Sequence, residues 1–103
     1  MKQSLVDKLA VIADRYEEVA ALLGEAEVIS DQKRFRDLSR EYAEIEPIVQ
    51  CYHKYRDMES ALADAQALQQ DDDEDMRAMA AEDASDCKAQ LEQLAGELQT
   101  LLL

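Results

Sequence analysis

From Leu5 onward the large apolar residues return every four and three positions, with few interruptions along the chain. Leu5, Leu9, Ile12, Tyr16, Val19 and Leu23 form the first such series. A repeat of this length places the side chains on one stripe of an α-helix, as in a coiled-coil seam. No segment shows the strict apolar-polar alternation of a half-buried strand. With two Gly and one Pro in 103 residues, the chain lacks the breakers that a many-turned β-sandwich needs. At 48% hydrophobic residues it can still pack a core, on the scale of one small domain.

Three helices follow from the stripes, over about residues 4–23, 31–69 and 74–101. Ser4 and Asp7 resemble a capping box at the first start, with Asp replacing the usual Glu, and Gly24 stands where a C-cap belongs. Residues 25–30 read as a connector, and Ser30 or Asp31 as the cap of the second helix. Phe35, Leu38, Tyr42, Ile45, Val49 and Tyr52 form its stripe, which slips by one residue to Tyr55, Met58, Leu62, Ala65 and Leu68. Pro47 lies inside this run, where a proline removes a backbone donor and kinks or ends a helix. The stripe keeps its phase across Pro47, which favours a continuous, locally bent helix. The alternative is a break at Glu46–Pro47, with Pro47 in the first turn of a new helix. Residues 69–75 contain no apolar side chain and read as a tip loop leading into an acidic helix start. The last stripe is Met76, Ala80, Ala84 (or Asp83), Cys87, Leu91, Leu94, Leu98 and Leu101. The expected architecture is all-α: a three-helix antiparallel bundle in which the outer helices flank the two halves of a long central one.

The charge is large and uneven. The net is −13, with seven basic and eight acidic residues in 1–40 and four basic and sixteen acidic residues in 41–103. Such a surface repels phosphate, which excludes a broad grip on nucleic acid. The only basic cluster is Lys33, Arg34, Arg36 and Arg40. It is either ordinary surface charge partnered by Asp37 and Glu41 or a patch for phosphate. The opposite extreme is Asp71, Asp72, Asp73, Glu74 and Asp75. Asp71, Asp73, Asp75 and Glu82 fall at the first, third, fifth and twelfth positions of a calcium loop, but Met76 takes the place of its glycine and residues 76–82 follow a helical pattern. A solvated acidic tip is the simpler reading.

No catalytic, cofactor-binding or metal-binding residue can be assigned. His53 is the only histidine, Gln50 stands three before it where a di-iron bundle wants Glu, and there is no nucleophile elbow or phosphate loop. On the helical projection His53 falls beside Val49 and Tyr52, as a partly buried packing residue would. Cys51 and Cys87 form no C-x-x-C pair and fit free thiols in a reducing cytoplasm. Neither a signal peptide nor a membrane-length apolar run is present. Leu101, Leu102 and Leu103 make a poor natural terminus, so the natural protein is expected to continue, and their exposure in an isolated piece could drive self-association.

Three pieces, RYEEVAALL from Arg15, ISDQKRFR from Ile29 and LSREYAEIEPIV from Leu38, occur in this order within residues 4–55. In that order and spacing the chain resembles the amino-terminal region of bacterial class I peptide chain release factors, and the distal half is similar too. The resemblance implies a role in translation termination, where family members recognise stop codons on the ribosome and trigger hydrolysis of peptidyl-tRNA. The codon-reading Pro-Xaa-Thr and the hydrolytic Gly-Gly-Gln tripeptides are both absent here, the only glycines being Gly24 and Gly96. The resemblance therefore implies the helical first domain alone, without catalysis. Its implied partners are the ribosome, through a stalk-base protein of the large subunit and adjacent rRNA, and the GTPase release factor; no membrane is implied. An unrelated acidic helical adaptor or coiled-coil dimeriser would show the same stripes.

Overall fold

The computed structural model describes all residues from Met1 to Leu103. It contains four helices and no strand: α1 (Gln3–Leu22), α2 (Ala26–Ile29), α3 (Gln32–Leu68) and α4 (Glu74–Leu101). The three long helices lie within a residue or two of the expected bounds. The connector expected over 25–30 instead holds the short α2. Its reason is Val28, which is completely buried and draws the connector onto the core.

The helix ends correct two readings. Ser4 does not cap α1: the cap is Lys2, whose carbonyl accepts from the amides of Leu5 and Val6 at 3.1 Å each. Asp7, the expected reciprocal partner, accepts instead from Gln3 Nε2 at 2.8 Å. Gly24 does not serve as a left-handed C-cap, because no residue of the chain has a positive φ. The chain leaves α1 through Leu23, then closes two tight turns, Gly24 N to Ala21 O at 3.1 Å and Glu25 N to Leu22 O at 3.0 Å, that deliver it into α2. At the start of α3 the cap is Asp31, whose Oδ1 accepts from the Arg34 amide at 3.2 Å.

Pro47 sits within α3, which runs unbroken through it. The missing donor deprives the carbonyl of Ala43 of its helical partner. Both residues are exposed, so water can satisfy that carbonyl, and the helix survives the loss.

The chain divides into two compact units, Met1–Gln50 and Cys51–Leu103. In the first, α1, α2 and the beginning of α3 enclose Leu9, Val19, Val28 and Val49, all buried. In the second, the rest of α3 faces α4. Ascending positions on α3 meet descending ones on α4, Lys54 and Met58 lying opposite Glu97 and Gln90, and Leu68 opposite Asp83, so the pair is antiparallel. Its buried residues are Cys51, Tyr52, Tyr55 and Leu98 with three alanines, Ala65, Ala80 and Ala84. No polar or charged residue is fully buried anywhere in the chain.

His53 does not pack into the core as its helical position suggested; it is exposed, with its ring tilted against Tyr52 at a centroid distance of 6.2 Å. The one-residue slip of the stripe at Tyr55 turns the buried arc toward Cys51 and leaves His53 outside it.

Candidate functional site

Asp31 fixes the start of α3, and the first three turns of that helix carry Lys33, Arg34, Arg36 and Arg40, all exposed. No carboxylate lies within 4.0 Å of any of these four charged groups; the ion pairs of the chain are Arg15 with Glu18 and Glu41, and Arg56 with Glu59. The expected local partner Glu41 is engaged elsewhere. Arg15 of α1 holds it bidentately, Nε to Oε2 at 2.6 Å and Nη2 to Oε1 at 2.8 Å, while Arg15 Nη1 donates to Glu18 Oε1 at 2.7 Å. The four cations are thus left without an ion pair, with Asp37 the one acid among them, and Phe35 lies half-exposed beside it.

Beside that pair, Tyr16 of α1 stacks on Tyr42 of α3 with ring centroids 4.6 Å apart. Their hydroxyls are 2.7 Å apart, and Tyr16 Oη lies 3.2 Å from Glu46 Oε2. The hydrogen bond with Tyr42, then burial and Glu46, push the Tyr16 phenol well above its ordinary range, so it stays a neutral donor. Arg15 lowers the pKa of Glu41 chiefly through its hydrogen bonds, against an opposing effect of burial. These four residues tie α1 to α3 and hold the ridge from which the basic side chains project. The sequence places Tyr16 and Tyr42 only on apolar stripes and Glu41 only beside the basic cluster, and it assigns Arg15 no role. Their apolar neighbours gave the stripe, but polar pairing between residues 26 apart leaves no local trace.

The acidic tip is a built turn. Asp71 Oδ1 accepts from the Asp73 amide at 2.9 Å, and Asp73 Oδ1 caps α4 by accepting from the Asp75 amide at 3.0 Å. Arg77, one turn into α4, folds back and donates from Nη1 to the carbonyls of Asp71 and Asp72 at 2.8 and 2.9 Å. Its guanidinium binds backbone, not carboxylate. Asp71, Asp72, Asp73, Glu74 and Asp75 all remain exposed. Met76–Glu82 belong to α4, so the twelve-residue calcium-loop spacing is not folded as a loop, and no three His, Cys, Asp or Glu side chains converge on a common point.

Cys51 is buried, its Sγ 3.7 Å from Glu97 Oε2 and 3.9 Å from the Leu94 carbonyl. Burial, reinforced by the Glu97 charge, pushes this thiol up, which makes it a poor nucleophile. Cys87 is half-buried and free. No helix is long and apolar enough to cross a membrane.

The geometry thus presents two charged surfaces on helical scaffolding. A family model described as the PCRF domain matches residues 12–103. The chain belongs to this family, the PCRF domain of class I peptide chain release factors. The match begins inside α1, before the Arg15 and Tyr16 contacts, and takes in α2, α3 and α4 entire. It gives the chain a release-factor role in translation termination and sets aside the unrelated adaptor. In release factors the PCRF domain is a non-catalytic helical part.

Proposed function

We propose that this chain is the amino-terminal, ribosome-associated domain of a stop-codon-recognising release factor, and that it docks by charge near the stalk base of the large subunit. The observation that carries the reading is the family match across residues 12–103. Charge distribution supports the choice of surfaces. A chain of net −13 is repelled by bare rRNA, and basic ribosomal proteins are its natural complement. The exposed carboxylates of Asp71, Asp72, Asp73, Glu74 and Asp75 face such a protein. Lys33, Arg34, Arg36 and Arg40, none of them ion-paired within the chain, are the face for adjacent rRNA phosphate. The GTPase release factor is a further partner for the same domain. Codon reading and hydrolysis are assigned to none of its residues.

Co-sedimentation with ribosomes tests this. Lys33→Glu with Arg36→Glu and Arg40→Glu, and separately Asp72→Lys with Asp75→Lys, should each weaken binding. The basic-face variant should also flatten the salt dependence, because phosphate contacts release counterions. Equal and negligible effects of both would overturn the assignment.

A further inference from the structure

We propose that the seam between α3 and α4 in the second unit is a docking groove for a basic amphipathic helix of a partner protein. Two adjoining depressions, of about 400 and 480 Å³, share Met58 and Gln90 and so form one trough. It runs along α3 from Lys54 to Leu68. At 1.5 Å per residue that is about four turns, roughly 21 Å. The floor is apolar, formed by Leu94, Met58, Ala61, Ala65 and Cys87, with Leu68 at its far rim. The walls are acidic: Asp57 and Asp64 on α3, and Asp83, Asp86 and Glu97 on α4, against the single cation of Lys54.

The trough exists because this unit has only two helices. Alanines at 65, 80 and 84 bring them close and leave larger side chains stranded at the rim. Leu68 is 44% exposed and Met79 is 62% exposed. Stepping back along α4 from Asp83 by four and three reaches Met79 and Met76, so both methionines extend the same face. Unbranched thioethers adapt to a partner's shape better than branched side chains do. An apolar floor between acidic walls matches a helix with an apolar stripe flanked by Lys or Arg. A second copy of this chain, net −13, would set acid against acid, and a nucleic acid would do the same with phosphate. The trough excludes the basic face, and the proposal goes beyond the ribosome reading.

The test uses the 103-residue chain and a synthetic helical peptide of about four turns, with leucines at i, i+3, i+4 and i+7 and lysines between them. A scrambled peptide of the same composition is the control. Binding is followed by fluorescence anisotropy at about 0.15 M salt, where long-range attraction is largely screened. The striped peptide should bind, and the scrambled one should bind at least about tenfold more weakly. Asp64→Lys with Asp86→Lys should weaken the striped peptide by about tenfold, whereas Asp72→Lys with Asp75→Lys, an identical charge change at the tip, should alter it by less than about twofold. The bound peptide should also slow alkylation of Cys87, which lies in the floor. No binding, equal binding of both peptides, equal losses in both variants, or an unchanged Cys87 rate would each overturn the proposal. No ribosome takes part, so failure here leaves the termination reading standing.

Discussion

Arg15 and Glu41 lie 26 positions apart and meet through two parallel hydrogen bonds, of 2.6 and 2.8 Å. The pair joins α1 to α3 and commits Glu41, one of the two acids beside the basic face in sequence, to Arg15. Its pH dependence follows from the direction of the Glu41 shift. Folding lowers the pKa of this carboxyl, so its contribution is complete above the ordinary glutamate value of about 4.3 and fades as pH falls through the lower folded value. The thermal midpoint of Glu41→Gln should therefore lie below that of the unaltered chain near neutrality and converge with it in acid. A constant gap down to pH 2 would contradict this.

The core assignment separates residues on one helix. Leu9 is 1% exposed and Val11 is 67% exposed. Leu9→Ala should cost about 2–5 kcal/mol in urea unfolding. Val11→Ala should stay within about 0.5 kcal/mol. Equal effects would mean that α1 faces the other way.

At the tip, Asp73 caps α4 and Arg77 gathers two loop carbonyls. Asp73→Ala should destabilise by about 0.5–2 kcal/mol, the usual loss of an N-cap. Arg77→Ala should accelerate hydrogen exchange at the start of α4 while leaving the Leu9 region unchanged. Exchange that rises uniformly would show that the tip is not held locally.

Gly96 lies inside α4, and a Cβ built there meets nothing within 4 Å. Gly96→Ala should raise stability by about 0.5–1 kcal/mol, since it restricts the unfolded chain and strains nothing. A lower thermal midpoint would reveal a close approach that this geometry lacks.

Much of the fold could be read from the spacing of single side chains. Leu9, Val19, Val49, Tyr52, Ala65, Ala80, Ala84 and Leu98, all on the expected stripes, are buried. Where the reading failed, the deciding force was not local. Val28 folds a connector into α2 because of what covers it, and four residues are too few to display a period. Gly24 looked like a C-cap, but the path into α2 needs no left-handed residue. His53 left the core because a slip of one residue rotates the buried arc. The charged clusters were visible as composition, yet their states were not. Glu41 proved committed to Arg15, and Arg77 to the tip backbone, and only the folded chain brings those atoms together.

The alanines of the second unit have a consequence for what substitution can do there. Ala65, Ala80 and Ala84 are each at most 5% exposed, so the clearance between α3 and α4 is set by single methyl groups. A larger residue at any of them would act as a wedge. It would widen the hairpin and change the calibre of the trough alongside without touching a trough-lining charge. A lineage of such chains could retune its partner from these silent positions, while the acids that advertise the site stay as they are.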